Sequence, residues 1–216
     1  MAIAVDVSVD LPAAPEGDAF ASPPDASVFA ERLTPIPERI REALIFVIRQ
    51  ADRANIRLTQ YEILKSLFFA DREHLRTYGR PITFDQYEAL PDGPVPSLTY
   101  DALKGSLHAM RFLGLDEALW RCEPAGGKAY HYFDVARDAD DDVLSESDME
   151  ELEKAVTMVH SMTFSQIWDL SHEDPAYQSA WNRRGNARAA MMRYDELLGK
   201  DALERLGDVF AAAWDR

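Results

Sequence analysis

The stretch from Thr59 to Pro81 constrains this chain more than any other. Thr59 and Glu62 stand three apart ahead of an apolar run. That is the pattern of a capping box, in which each side chain satisfies the other residue's backbone N–H. Leu58 and Ile63 are spaced to staple across the same start. Leu64, Leu67, Phe68 and Leu75 continue the stripe, and Gly79 then Pro81 close it. Glycine accepts the left-handed cap conformation, and proline cannot continue a helix. A helix so delimited needs a core to bury its apolar stripe.

Other segments supply that core. Thr34 followed by Pro35 predicts a helix start, after which Ile40, Leu44, Val47, Ile48 and Ala51 fall on one face. Pro81 to Pro96 reads as non-helical, with Ile82, Phe84, Tyr87 and Ala89 in short extended pieces and a turn at Pro91-Asp92-Gly93-Pro94. Ser97 predicts a helix running to about Leu113 and ended by Gly114. Two β-prone runs, Leu119 to Cys122 and Ala129 to Phe133, flank Gly126-Gly127 and predict a hairpin. Ser145 with Asp148, Thr163 with Gln166, and Asp174 with Pro175 each start a further helix, the last reaching Trp181. A final helix is expected over 201–214. The fold expected is mainly α: a compact multi-helix domain over 34–216, with a small β-hairpin element.

Residues 1–33 differ in grammar. They contain Pro12, Pro15, Pro23 and Pro24, and the first 30 carry five acids and no Lys or Arg. This composition predicts a flexible acidic N-terminal tail. The start has no basic residues followed by an unbroken apolar stretch, so no secretory signal is read there. The single cysteine, Cys122, cannot form an intrachain disulfide and is expected to be buried packing, in keeping with a cytoplasmic location. The longest charge-free run, Ala155 to Trp168, is 14 residues, short of the roughly 18 that suggest a membrane span.

The net charge is −15, and its placement is informative. Residues 31–137 balance, whereas 138–175 hold twelve acids against Lys154 alone. Nucleic-acid binding needs a positive face that displaces counterions from phosphates, and no segment supplies one. Motifs for chemistry also fail. Asp138, Asp140 and Asp142 imitate a calcium loop, but Val143 stands where glycine is needed and Met149 where glutamate is needed. Gly126-Gly127-Lys128 lacks the upstream glycine and downstream hydroxyl of a phosphate loop. The five histidines show no metal-ligand spacing; His172-Glu173-Asp174 is the one dense cluster. No catalytic residue, cofactor or metal site is predicted.

Residues 64–105 read LKSLFFADREHLRTYGRPITFDQYEALPDGPVPSLTYDALKG. Leu64, Lys65, Leu67 and Ala70 on the helix, then Gly79, Pro81 and Ile82, then Asp85, Tyr87 and Ala89, then Gly93-Pro94-Val95 and Tyr100, resemble the signature of the Panacea domain of SocA-like antitoxins. LSESDMEELEKAV at 144–156, with Leu170-Ser171-His172-Glu173 and Trp181, extends the resemblance over most of 36–183. It implies a protein, not an enzyme, that neutralises a SocB-like toxin by direct contact. For SocA-like members it also implies an adaptor that delivers the toxin to the ClpX/ClpXP protease. The candidate partner-binding residues are Asp71, His74, Arg80, Asp85, Tyr87, Pro94, Tyr100 and His172; Asp85 and Tyr87 serve equally well as organisers of the turn.

Two other classes compete. Residues 59–133, two helices and a hairpin, could imitate a winged-helix DNA-binding regulator, although 97–113 carry only Lys104 and Arg111 as cations. A hydrolase would have to use His172, Glu173 and Asp71 and lacks a nucleophile.

Overall fold

A computed structural model describes residues 34–115, 119–127 and 129–199. The expected tail and the expected last helix lie outside these residues. Among the described residues the order is α1 (Pro37–Arg53), β1 (Leu58–Thr59), α2 (Gln60–Tyr78), β2 (Tyr87–Leu90), β3 (Gly93–Pro96), α3 (Ser97–Leu103), α4 (Leu107–Leu113), β4 (Arg121–Gly126), β5 (Ala129–Phe133), α5 (Glu146–Ser161), α6 (Phe164–His172), α7 (Pro175–Arg183), β6 (Ala190–Met191) and α8 (Tyr194–Leu198). The fold is mainly α, with two small antiparallel sheets. No helix among these residues is long and apolar enough to cross a membrane.

Helix α2 is the axis of the body. Thr59 and Glu62 form the capping box, and Gly79 ends the helix at φ 77° with its N–H on Leu75 O. Every residue from Ile63 to Asp71 is buried, so α2 is enclosed on all sides rather than on one stripe. Helices α1 and α5 pack along it, and the β2–β3 hairpin and α8 close the remaining sides. Enclosure explains why Lys65, Ser66, Asp71 and His74, polar positions of this helix, lie inside. Each must then find a partner within the protein or cost stability.

Three boundaries differ from the sequence reading. Helix α1 starts at Pro37 with Ile36 as an N-cap that makes no side-chain bond, so Thr34 does not cap it. Pro37 sets the start by itself, because its fixed φ suits the first turn and its missing N–H costs nothing there. The single helix expected over 97–113 is two helices of seven residues each. Gly105 takes φ 80° and Ser106 re-caps the chain on Ala109 N, which breaks the run. Cys122 is exposed rather than buried. It lies on β4, the outer strand of the order β1-β5-β4, and in that hairpin Tyr132 of β5 is the buried side chain.

The second sheet has order β3-β2-β6. Its Pro-rich strand β3 lies at the edge, where missing donors are tolerated. Strand β6 and helix α8 have no clear sequence signal; they are held by tertiary bonds such as Met192 N to Tyr87 O at 2.9 Å.

Candidate functional site

The segment from Gly79 to Tyr100 is organised by two buried carboxylates. Asp71 of α2 accepts from Ile82 N at 2.7 Å, Thr83 N at 2.9 Å, Tyr87 OH at 2.8 Å and the Thr83 hydroxyl. Asp85 accepts from Leu98 N at 3.1 Å and from the N–H and hydroxyl of Thr99, each at 2.9 Å, which starts α3 in place of a cap on Ser97. The Asp85 carbonyl in turn accepts from the Tyr194 hydroxyl. Burial pushes both carboxyls up, Asp85 to about 6, while these donors pull them back. Both networks turn a proline-rich connection into a fixed frame.

The frame places the β2–β3 turn against a buried lysine. Lys65 is fully enclosed and donates to Pro94 O at 2.9 Å, with its ammonium 5.2 Å from the Tyr61 ring centroid. Desolvation holds its pKa down at about 7, with Asp92 pulling weakly the other way. Gly93 fits over it at φ 94°: a β-carbon there would stand 2.5 Å from Lys65 Nζ, 2.8 Å from Ser171 Oγ and 3.2 Å from His172 Cε1. Gly93→Ala should therefore cost about 2 kcal/mol, from positive-φ strain and overpacking together. A urea midpoint within error of the parent would show that the turn is looser than this.

His172 seals the other side of the turn. Its Nε2 lies 3.1 Å from Pro91 O and its Nδ1 2.7 Å from Trp168 O. The ring stacks on Trp168 at 3.7 Å and meets Tyr177 edge-on at 4.6 Å; Tyr177 stacks on Trp181, and Arg184 lies 3.6 Å from the Trp181 centroid. One turn before Trp168, Phe164 packs on Tyr61 at 4.7 Å. Phe164 is 59 % exposed and Trp168 38 %. An aromatic ladder thus crosses α6 and α7, open to solvent at the Phe164 end.

Of the eight candidate residues, Asp71, His74, Asp85, Tyr87 and Pro94 are buried, and Arg80, Tyr100 and His172 are partly exposed. His74 donates from Nδ1 to Arg80 O at 2.9 Å, with Nε2 3.1 Å from Asp148 Oδ1. Arg80 forks onto Asp148 at 2.9 and 3.2 Å. Lys104 Nζ lies 4.6 Å from the Tyr100 centroid. Sequence reasoning counted Lys65 in the family signature but not among the site residues, and it missed Phe164 and Trp168. The signal was present: one lysine inside an apolar run, and Phe164, Trp168 and His172 repeating every four residues, which aligns them on one helix face.

Hydrolysis is not set up here. Asp71 spends both oxygens on the frame, His172 has both ring nitrogens on carbonyls, and Glu173 points to solvent. No hydrogen bond or ion pair joins the three among the described residues. Nor do these residues contain a cluster of three metal-ligating side chains. The broken α3–α4 pair leaves a winged helix without a continuous recognition helix. What the geometry offers is a rigid frame that presents an aromatic surface.

The family described as antitoxin SocA-like, Panacea domain, matches residues 63–178. The chain belongs to this family. The matched region starts inside α2 and ends inside α7, so it contains the frame, the enclosed Lys65 and most of the aromatic ladder. No curated protein and no solved structure matches the chain. Panacea membership supports an antitoxin role and, with it, a toxin as the class of partner.

Proposed function

We propose that this Panacea-domain chain is the cytoplasmic antitoxin of a toxin–antitoxin pair. It neutralises a SocB-like toxin by direct protein–protein contact and acts as an adaptor that delivers the toxin to ClpXP. The observation that carries the reading is the family match over residues 63–178. Within it, Asp71, His74, Asp85, Tyr87 and Pro94 support the surface from below, and Arg80, Tyr100 and His172 are the candidates that reach a partner. The folded body from residue 34 onward binds the toxin, and either another of its surfaces or the acidic segment 1–33 engages the protease. Tethering a cargo beside a protease raises its local concentration to about the millimolar range with a short linker.

The test expresses the neighbouring reading frame with and without this chain. Growth arrest relieved by the chain is the expected result; arrest that persists removes the antitoxin role. With the toxin in hand, its half-life is measured with reconstituted ClpXP and either the full chain or one lacking residues 1–30. The trimmed form should still bind toxin and should slow its degradation. Equal half-lives would move the protease contact to the folded body. If neither form accelerates degradation, the adaptor role fails and simple blocking is left.

A further inference from the structure

The open end of the aromatic ladder borders a cleft of about 500 Å³ between the start of α2, the start of α6 and the end of the β4–β5 hairpin. Tyr61, Met162, Phe164 and Ile167 make its walls predominantly apolar. The side-chain amide nitrogen of Gln60, also on the wall, has no hydrogen-bond partner among the described residues. Isolated exposed apolar side chains are ordinary on protein surfaces. Phe164 and Trp168 are not isolated, because they are one turn apart and continuous with the cleft.

Charge decides what can fill it. Helix α5 runs to the cleft's edge, and its outer face exposes Glu146, Glu150 and Glu153. Lys154 on that face is taken by Glu151 at 2.7 Å. On the other side α6 and its end expose Asp169 and Glu173. Glu146, Glu153, Asp169 and Glu173 have no cationic partner among the described residues. A second, shallower depression of about 420 Å³ lies on α5 itself, lined by Met158, Glu150, Glu153, Lys154 and Thr157. An apolar hollow beside a surface that is acidic in balance, with Lys154 as its one cation among Glu146, Glu150, Glu151 and Glu153, is complementary to a bulky apolar side chain flanked by Lys or Arg.

We propose that the Tyr61–Phe164–Trp168 cleft, together with the acidic outer face of α5, docks a basic segment of a partner protein that carries a bulky apolar anchor. This deepens the toxin-binding reading and rests on it for the partner's identity. The apolar anchor supplies the affinity, since buried aromatic contacts dominate interfaces. The carboxylates select sign and speed association, and salt screens them.

The probes are three synthetic peptides of equal length, titrated calorimetrically into the full chain at low and high salt: a helical Lys/Leu repeat, the same repeat with Glu for Lys, and one with Ser for Leu. The Lys/Leu peptide should bind, and the other two should bind at least about tenfold more weakly. Phe164→Ala with Trp168→Ala should weaken it about tenfold, with the fold checked by circular dichroism. Glu150→Gln with Glu153→Gln should weaken it several-fold at low salt only. Equal binding by the aromatic variant, equal binding of the Lys/Ser peptide, or no binding of the Lys/Leu peptide would each overturn the proposal. So would a photocrosslinker at Ser165 that captures residues 200–216 of the same chain, because the cleft's occupant would then be its own terminus. Toxin rescue is read separately. A toxin neutralised equally well by the aromatic variant overturns this surface and leaves the antitoxin reading intact. A cleft that binds the peptide in a chain that neutralises no toxin does the reverse.

Discussion

Raising the pH from 7 to about 9.5 should stabilise this protein, and Lys65→Met should flatten the rise. Lys65 is enclosed in α2, and desolvation holds its pKa at about 7 against the ordinary 10.5. Between those values the unfolded chain carries a proton on this side chain that the folded one has released. Stability therefore climbs with pH through the window. Each pH unit contributes up to about 1.4 kcal/mol, and the group is half-titrated at pH 7, so the rise to pH 9.5 is about 3 kcal/mol. Above pH 10 the trend should reverse. Burial pushes the Tyr61, Tyr132 and Tyr177 hydroxyls up to about 12, so the unfolded chain loses those protons first. Methionine has similar volume and no charge to desolvate. It gives up the bond to Pro94 O at a cost of about 1 kcal/mol. The urea midpoint of the variant should match or exceed that of the parent at pH 7 and stay level to 9.5. A parent midpoint that is flat over this range would mean that Lys65 is charged in the folded protein.

The same lysine marks where sequence reading stops. Helix limits were legible at Thr59–Glu62, Gly79, Ser145–Asp148, Thr163–Gln166 and Asp174–Pro175, because caps are local chemistry written in adjacent residues. The breaks at Ser106 and at Pro37 were less legible, since each depends on one residue outweighing an otherwise helical pattern. Strand β6 and helix α8 were not legible at all. They are short, and they form because β2 presents a free edge and Tyr194 reaches Asp85 O across 109 residues. At the site, the Asp85 and Tyr87 positions were readable as turn organisers, and both are enclosed. The face made by Phe164 and Trp168 was readable in principle from its four-residue spacing. Whether that spacing faced a core or solvent depended on how α6 packs, and only the fold decides that.

Asp148→Ala should be the most damaging surface-proximal substitution, lowering stability by about 3–4 kcal/mol. The carboxylate itself is fully buried and joins three elements. It accepts from Arg39 of α1 at 2.7 Å and from Arg80, after α2, at 2.9 Å, and it returns the capping box of α5 through Ser145 N at 2.8 Å. Arg39 also donates to Ile82 O at 2.6 Å and Val143 O at 2.8 Å, so it is fixed in place and cannot follow a lost partner to solvent. Removing the carboxylate strands this arginine beside His74 and takes away the return half of the capping box, the bonds from Ser145 N and Oγ, while Ser145 still caps Asp148 N. Arg80, at 37 % side-chain exposure, can turn outward, which keeps the loss below that of a fully buried pair. The acid limb offers a second reading. Burial would raise the Asp148 carboxyl, but hydrogen bonds from Arg80, Arg39 and Ser145 outweigh it and hold the pKa at about 2. Glu42 is brought to about 2 in the same way by Arg137 and Arg41. A depressed folded pKa gives stability that is full above the unfolded carboxyl range and is lost as pH falls toward 2. The parent should therefore lose stability steeply between about pH 4.5 and 2, and Asp148→Ala should lose less over that interval because one of the linked protons is gone. Parallel denaturation curves for parent and variant across the acid range would show that Asp148 titrates as an ordinary carboxylate, and the three-element junction would then lose its energetic role.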